Sequence, residues 1–299
     1  MEGGVLTTVV LPLALAFIML GMGLGLTLAD FRRVLQYPKA VTIGIVCQMV
    51  LLPLIGYGIA RAFGMEGGLA VGLMVLAFCP GGVTSNMYSL LARGDVALSI
   101  TLTAVVSVVT PFTIPFLVQW SMEAFLSTPG AAPIELPIVK TIVTLLAITV
   151  APVGVGMLIK RFWPGFAARA DRTVKIASVV ILVVIIAGIL KKEWANIGPF
   201  FAQVGLSTLT LNVSTMVLGF VIAMMAGLRH EERVSIGIEV GIQNGTTGLV
   251  VAAMAAAAAG IPDTSNPISI APAIYSLIMF GTGAAFAVLV NIGRKPAAA

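Results

Sequence analysis

The sequence predicts an all-α integral membrane protein with nine transmembrane helices. Of its 299 residues, 59% are hydrophobic and only 10% are charged, whereas soluble domains carry about 25% charged residues. Such a chain could not cover a globular surface with polar groups, so the composition excludes a soluble protein. The net charge of +5 therefore indicates basic cytoplasmic loops beside a lipid bilayer, and no nucleic-acid partner is predicted.

Apolar segments long enough to cross a bilayer recur along the chain. About 20 residues suffice to cross roughly 30 Å of hydrocarbon. We predict nine spans, at residues 5–28, 40–62, 68–92, 96–121, 137–160, 174–190, 203–226, 234–259 and 268–293. The sixth of these spans is short.

The basic residues support nine spans and give an orientation. With nine spans, one face carries the C-terminus and the most basic loops, at residues 29–39, 93–95, 160–175 and 227–233. That face holds all of the 17 Lys and Arg residues except Arg61, Lys140, Lys191 and Lys192. By the positive-inside rule, the N-terminus is outside and the C-terminus is cytoplasmic in a multi-pass protein of the cell inner membrane.

Two spans are interrupted by residues that disfavour a helix. The third contains residues 79–86 (CPGGVTSN), and the eighth contains residues 243–248 (QNGTTG). Proline removes a backbone donor and glycine lowers helix propensity. Backbone groups that lack helical hydrogen bonds are tolerated in the hydrocarbon region only where protein buries them or where they line a cavity. Paired interruptions therefore predict the binding site of a transporter, with ordinary packing kinks as the alternative.

The interrupted spans lie five apart, and an odd offset places two repeats in opposite orientations. The hydropathy pattern thus predicts an inverted repeat within a single transporter domain, residues 1–299. Residues 1–121 form repeat one, residues 122–136 a linker and residues 174–299 repeat two. Span 137–160 has no counterpart, as if the first helix of the N-terminal repeat were absent.

Glu239 is the only acidic residue inside a predicted span. An acidic group at the bilayer centre costs about 2.5–3.5 kcal/mol and is by default functional. No Lys or Arg inside a span is available to pair with it, so a proton or a bound cation must balance its charge. Polar residues of four spans are expected at a similar depth: Gln48, Ser85, Asn86, Ser99, Thr103 and Gln243.

The chemistry of these groups predicts a sodium site. They supply carboxylate, amide and hydroxyl oxygens, which favour a hard cation, and a single carboxylate favours a monovalent ion over Ca²⁺. The alternative is that Ser and Thr hydroxyls merely bond to their own helix. We prefer that interpretation for Thr101, Ser107 and Thr110.

Three motifs resemble the bile acid:sodium symporter family, which includes the hepatic and ileal bile acid transporters and bacterial homologues. They are CPGGVTSN at 79–86, LARGDVALS at 91–99 and EVGIQN at 239–244. The resemblance implies that the two discontinuous helices cross. It also implies a core domain of spans 40–121 and 203–293 and a panel domain of spans 5–28 and 137–190.

The same resemblance implies two sodium ions at sites that share one glutamate. The first site is matched by Ser85, Asn86, Ser99, Thr103 and Glu239. The second is matched by Gln48, Glu239, Gln243 and the carbonyls of Val240 and Ile242. The implied substrate is an organic anion, either bile-acid-like or a small carboxylate such as pantoate or a keto acid.

An anion is expected where the discontinuous helices cross. A half-helix N-terminus carries about +0.5 charge and free N–H groups, which suit a carboxylate. The predicted substrate-binding residues are Gly82, Thr84, Asn244, Gly245 and Thr246. The chain departs from bacterial members at Val83 and at Met279-Phe280, so the identity of the anion does not carry over from the resemblance.

The sequence therefore predicts a sodium-coupled symporter of an organic anion that works by alternating access and requires no oligomer. The alternative is a proton-coupled transporter of the same fold, in which Glu239 titrates. An enzyme is not predicted, because the only histidine, His230, lies in a charged loop and could not serve as a buried base. A sensor or scaffold is disfavoured by the lack of any soluble segment.

Overall fold

The computed structural model describes residues 4, 6–127, 134–192, 197–262 and 266–292. Six segments are long and apolar enough to cross a membrane: Thr8–Gly25, Pro38–Ala62, Val96–Leu126, Ile138–Phe162, Phe201–Met225 and Pro267–Leu289. A seventh consists of Pro164–Asp171 and Ile176–Ile189, with a bend of 44° between them. The described part of the chain is therefore a helical integral membrane protein with six or seven spans by length and composition.

We number the helices in chain order. The N-terminal half contains α1 (Leu11–Gly25), α2 (Leu28–Gln36), α3 (Pro38–Val46), α4 (Leu52–Ala62), α5 (Gly67–Ala77), α6 (Val83–Leu91) and α7 (Val96–Leu126). The C-terminal half contains α8 (Ile138–Leu145), α9 (Ala151–Phe162), α10 (Pro164–Lys192), α11 (Ile197–Met225), α12 (His230–Gly241), α13 (Gly245–Ala258) and α14 (Ile270–Leu289).

The interruptions predicted from proline and glycine are confirmed. Helix α5 ends before the Pro-Gly-Gly segment, and α6 begins directly after it. Helix α12 ends at Gly241, and α13 begins at Gly245. We call residues 78–82 the first break and residues 242–244 the second break.

The described residues include three π-helical turns, and two of them lie between consecutive α-helices. They comprise Leu6–Val10, Cys47–Leu51 and Leu146–Val150. The α-helix after each turn has proline as its second residue: Pro12, Pro53 and Pro152. Proline has no N–H, and its ring clashes with the carbonyl four residues earlier, so the wider π turn accommodates it. The second and third turns join α3 to α4 and α8 to α9 into continuous spans.

Several predicted boundaries differ from the structure. Helix α7 continues to Leu126, so the first residues of the predicted linker 122–136 are helical, whereas residues 128–133 lie outside the described residues. Helix α10 begins at Pro164, so most of the predicted loop 160–175 is helical. Helix α2 lies in the predicted loop 29–39. Hydropathy marks only apolar residues, whereas Ala, Arg and Lys also favour helix.

The helices pack in two groups. Helix α1 packs most closely against α9 and α10, because Gly23 and Gly156 have no side chains. A Cβ at Gly23 would overlap the carbonyl of Val153, and a Cβ at Gly156 would overlap that of Leu20. Helix α11 instead packs against α12 and α14. The pairs α5–α6 and α12–α13 belong to this second group.

Loops that the charge pattern places on one face contact each other. Arg229 forms a salt bridge of 3.2 Å with Asp95. The side-chain amide of Asn291, after α14, donates to the carbonyl of Ala92 at 2.9 Å. These contacts tie the loop before α7 to the loop before α12 and to the end of α14, so the three segments lie together on one face of the helices.

Candidate ion-binding site

The two breaks lie against each other. The amide N–H of Asn244 donates to the carbonyl of Pro80 at 2.8 Å, and Gly81 pairs with Gln243 in a short antiparallel bridge. Interrupted helices leave backbone groups open, and these groups need partners away from water. Each break therefore supplies part of the hydrogen bonding that the other lacks.

Glu239 lies on α12, one turn before the second break, and is 0% exposed. The hydroxyl of Thr103 donates to Oε1 at 2.6 Å, and that of Ser99 donates to Oε2 at 3.1 Å. Ser99 and Thr103 are one turn apart on α7, so both face the carboxylate. No Lys or Arg within the described ranges forms an ion pair with Glu239. A buried carboxylate in this setting needs a proton or a cation.

The backbone of Gly81 covers this carboxylate. A Cβ at Gly81 would overlap Oε1 of Glu239. Glycine is thus required here because the backbone approaches another group closely. The first break and the glutamate of the other helix pair form one packed unit.

Asn86 extends the hydrogen bonds around the glutamate to α6. Its Oδ1 lies 2.8 Å from the hydroxyl oxygen of Ser99 and 3.4 Å from that of Thr103, so it competes with the carboxylate for their protons. We define the glutamate cluster as Asn86, Ser99, Thr103 and Glu239. The adjacent Ser85 is fully buried, and its hydroxyl donates to the carbonyl of Gly82 at 2.7 Å. The five residues predicted for the first ion site thus lie within or beside this cluster.

Gln48 connects the first break to the second. Its Nε2 donates to the carbonyl of Cys79 at 2.9 Å and to Oε1 of Gln243 at 2.7 Å. Gln243 in turn donates to the carbonyl of Val240 at 2.6 Å. Ile242 has left the helical conformation, with φ of −111° and ψ of 102°, so its carbonyl no longer follows the axis of α12. The residues predicted for the second site are therefore also brought together.

One oxygen of Gln48 is left without a donor. Its Oε1 is buried and has no hydrogen-bond partner among the described residues. Gln48 lies in a π turn, and π turns inside helices are frequent at functional sites. It lines a small cavity of about 10 Å³ together with Thr110 and Thr113. An unpartnered buried acceptor costs about 1–3 kcal/mol, and a bound cation would remove that cost.

The oxygens gathered at the breaks suit a monovalent hard cation. In the part of the chain that the structure describes, no three His, Cys, Asp or Glu residues come together as a metal site. One carboxylate surrounded by hydroxyl and amide oxygens lacks the several carboxylates usual for Ca²⁺ and the soft ligands that select transition metals. A bound Na⁺ would balance the negative charge of Glu239, and it would be coordinated by the otherwise unpartnered Oε1 of Gln48.

Two further residues hold the second break, and sequence reasoning missed them. The carbonyl of Gly241 accepts from Nδ2 of Asn212 at 2.6 Å and from the hydroxyl of Tyr275 at 2.7 Å. Both side chains are 0% exposed. They satisfy a carbonyl that the end of α12 leaves open. The sequence feature that could have indicated this role is Asn212, a lone amide side chain in an apolar span.

The residues predicted to bind substrate lie at or beside the breaks, and three of them have local partners. Oδ1 of Asn244 accepts from the N–H of Thr247 at 3.0 Å, so Asn244 is the N-cap of α13. Gly245 packs against the hydroxyl of Ser276, which a Cβ would overlap. The carbonyl of Gly82 accepts from the hydroxyl of Ser85 at 2.7 Å, and the remaining two candidates are Thr84 and Thr246.

The expectation of hydroxyl bonding within one helix is confirmed for Thr101 and wrong for Ser107. The hydroxyl of Thr101 lies 2.8 Å from the carbonyl of Ala97 on its own helix, and it also lies 3.1 Å from the carbonyl of Asp30 on α2. The hydroxyl of Ser107 is buried and has no partner among the residues described. Helix geometry permitted the same bond at both positions, so the difference reflects the tertiary surroundings.

Comparison with known proteins finds a matching protein family. The family model of the Sodium Bile acid symporter family matches residues 12–199, which is more than half of the chain. The uncharacterized sodium-dependent transporter YocS of Bacillus subtilis is 29% identical over 239 residues, which cover 80% of this chain and 72% of YocS. The human ileal sodium/bile acid cotransporter is 26% identical over 287 residues, which cover 94% of this chain and 78% of the human protein.

A chloroplast protein of rice is also similar. The probable sodium/metabolite cotransporter BASS1 of Oryza sativa is 29% identical over 263 residues, which cover 88% of this chain. They cover only 62% of the rice protein, so this chain spans less than two thirds of its length. The names of these three relatives share sodium-dependent transport, and they differ in what is carried with sodium.

Proposed function

The chain belongs to the sodium bile acid symporter family, and from that premise we propose that it couples the entry of two Na⁺ ions to that of an organic anion. Its relatives are transporters, so the chain is a membrane transporter and not an enzyme. The observation that carries the proposal is the buried carboxylate of Glu239, held by Ser99 and Thr103 without a basic partner.

The proposed ion sites follow the two sets of oxygens. The glutamate cluster and Ser85 hold one Na⁺. Gln48, Gln243 and the carbonyls of Val240 and Ile242 hold the other, with Glu239 shared. The unpartnered Oε1 of Gln48 supports the second site, because no other described group satisfies it.

Coupling to the anion follows from the contact between the breaks. Because Gly81 covers Glu239 and Asn244 is bonded to Pro80, an ion that fixes the carboxylate also fixes both breaks. Helices α6 and α13 begin at the breaks, and each N-terminus offers a partial positive charge and free N–H groups to a carboxylate. Linkage then requires that sodium and the anion raise each other's affinity by the same factor.

The proposed substrate is a bile-acid-like anion or a small carboxylate such as pantoate or a keto acid. Gly82, Thr84, Asn244, Gly245 and Thr246 lie at or beside the two N-termini, where its carboxylate would bind. The proposal includes no oligomer, because every residue of both ion sites comes from one chain.

The proposed architecture has nine passes in an inverted repeat, with the N-terminus outside and the C-terminus in the cytoplasm of a cell inner membrane. The two packing groups support a panel of α1, α8, α9 and α10 that moves against a core of the remaining spans. The contacts of Asp95 with Arg229 and of Asn291 with Ala92 support a common face for the basic loops. Alternating access would expose the cleft between panel and core to each side in turn.

The thermal stability of the purified protein in sodium, potassium and choline tests this proposal. Binding to the folded state raises apparent stability by mass action, so sodium alone should raise the melting temperature, and Glu239→Gln should abolish the rise. Glu123→Gln, which changes an exposed glutamate of α7, should leave it intact. A wild type that responds to pH but not to sodium would instead support the proton-coupled alternative.

A further inference from the structure

Helix α2 is a short amphipathic helix with no fully buried residue. Phe31 and Val34 are partly buried against the protein core. Leu28 and Leu35, two turns apart on the neighbouring part of the same apolar face, are 60% and 84% exposed. Arg32 is exposed as well and lies one turn from both leucines. The helix thus packs one side of its apolar face against the protein and leaves the other side, edged by Arg32, exposed.

The first segment of α10 has the same character. This segment, Pro164–Asp171, is bent by 44° from the rest of the helix. Trp163, directly before it, and Phe166 within it are 65% and 61% exposed, and Arg169 is exposed too. Tryptophan and arginine are typical of segments at the boundary between hydrocarbon and lipid headgroups. The segment therefore presents aromatic and basic side chains at the end of a span.

The two segments start from the same end of the packed pair α1 and α9. The ammonium of Lys160, near the end of α9, donates to the carbonyl of Gly25, the last residue of α1, at 2.6 Å. A Cβ at Gly25 would lie 3.8 Å from a carboxylate oxygen of Asp171, so the α10 segment also runs beside the end of α1. Helix α2 begins only three residues after Gly25. We define the basic-aromatic surface by the exposed side chains of both segments: Leu28, Arg32, Leu35, Trp163, Phe166 and Arg169.

These segments carry the positive charge of the chain. Residues 27–39 and 160–175 contain eight Lys and Arg residues and two Asp, a net charge of +6, whereas the whole chain has +5. One of the two carboxylates, that of Asp30, accepts from the N–H and from the hydroxyl of Thr27 at 2.7 Å. It is therefore engaged within α2. The net charge of the protein is concentrated around the basic-aromatic surface.

Elsewhere among the loops that the charge pattern places on this face, basic charge is paired. Arg229 lies 3.2 Å from a carboxylate oxygen of Asp95 and 3.1 Å from one of Glu232. Within the described ranges, neither Arg32 nor Arg169 forms an ion pair. Unpaired basic charge beside exposed apolar side chains fits a partner that is both anionic and apolar. A phospholipid with a negatively charged headgroup combines these two properties.

We propose that the basic-aromatic surface lies in the membrane interface and binds anionic phospholipids in preference to neutral ones. Its apolar side chains enter the acyl region, while Arg32 and Arg169 reach the headgroup phosphates. The inference goes beyond the proposed function, because it concerns neither sodium nor the transported anion.

Tryptophan quenching by brominated lipids tests the inference at the surface itself. The chain has three Trp residues, so Trp120→Phe with Trp194→Phe leaves Trp163 as the only one. In the full-length protein in nanodiscs, brominated phosphatidylglycerol should quench Trp163 as strongly as brominated phosphatidylcholine does at about threefold higher mole fraction. Trp163→Phe with Trp194→Phe leaves Trp120, which is 43% exposed, as the control. Glu123 lies one turn after Trp120 and opposes any excess of anionic lipid, so no preference is expected there.

Charge variants identify the residues that select the lipid. In the protein with Trp163 alone, Arg32→Gln with Arg169→Gln should reduce the preference to about 1.5-fold or less. Arg61→Gln with Lys140→Gln removes two basic residues that the charge pattern places on the opposite face, so the preference should remain. Should the first pair of substitutions prevent folding, about 1 M KCl provides a second measurement. It shortens the screening length to about 3 Å and should abolish the preference.

The other outcomes separate this inference from the proposed function. Equal quenching of Trp163 by the two lipids at low salt would overturn it. A preference that persists in Arg32→Gln with Arg169→Gln, or that is equally strong at Trp120, would overturn it as well. A melting temperature that still rises with sodium would in each case leave the proposed function standing. A lipid preference without that rise would support the basic-aromatic surface and remove the proposed function.

Discussion

The hydroxyl of Thr103 lies 2.6 Å from Oε1 of Glu239 and donates to it. The bond joins α7 in the N-terminal half of the chain to α12 in the C-terminal half. Because α12 leads directly into the second break, a change at this bond would be transmitted to the backbone of that break. The proposed sodium site and the geometry of the second break would therefore depend on the same few atoms.

Thr103→Val should raise the half-saturating sodium concentration about tenfold or more, because it removes a hydrogen bond to a charged group. Thr103→Ser keeps the hydroxyl and should stay close to the wild type. The measurement is the melting temperature as a function of sodium concentration. Thr101→Val is the control, since Thr101 bonds to the carbonyl of Ala97 and does not face the glutamate. An unchanged sodium dependence in Thr103→Val would contradict the first ion site.

Gly81→Ala should destabilise the protein by about 1–3 kcal/mol, the usual cost of overpacking. The added methyl group would overlap the carboxylate of Glu239, so the stabilisation by sodium should also disappear. Gly58→Ala provides the comparison, because a Cβ at Gly58 would meet nothing within 4 Å. Denaturation of both variants with and without sodium measures the two effects. Wild-type sodium stabilisation in Gly81→Ala would show that the first break does not cover the ion site.

Gln48→Met should remove one of the two proposed ions while leaving the glutamate cluster intact. The Hill coefficient for sodium in anion uptake should then fall from about two to about one. Cys47→Ala changes the neighbouring buried residue of the same π turn and should not alter the coefficient. Uptake into proteoliposomes over a range of sodium concentrations gives this number. A coefficient that is unchanged in Gln48→Met would place the second ion elsewhere.

Asn212→Ala and Tyr275→Phe should be non-additive. Each removes one of two donors to the carbonyl of Gly241, and the remaining donor still satisfies it. The double variant leaves that carbonyl unpartnered, so its loss of stability should exceed the sum of the single losses by about 1 kcal/mol. Chemical denaturation of the four proteins gives the coupling, and Tyr57→Phe, which lies away from the breaks, serves as the control. Simple additivity would mean that the two donors act independently.

The grouping of the candidate ion-site residues could be predicted because its signals are local. A glutamate within an apolar span is conspicuous, and the spacing of Ser99 and Thr103 places both on one face of a helix. The breaks were equally visible, since Pro80 and its glycines cannot continue a helix. Depth along each span then indicated which polar residues could meet.

The remaining features depend on contacts between distant parts of the chain. Asn212 and Tyr275 serve a carbonyl on a different helix, and no spacing rule connects the three positions. Ser107 follows the same local pattern as Thr101, so only the surrounding helices show that its hydroxyl is open to a cavity. The start of α10 was missed because hydropathy counts its charged first turns as loop, although those residues form helix readily.

The π turns are the positions where we expect this protein to bend. Each precedes a proline, which cannot donate a backbone hydrogen bond, so the helix is held by fewer bonds there than elsewhere. The breaks are bonded to each other, so relative motion of the two packing groups should be absorbed as curvature at residues 47–51 and 146–150. Gln48 lies within the first of these two π turns. Bending that span would change the coordination of an ion at Gln48, which would make release of the proposed ion and movement of the helix one mechanical event.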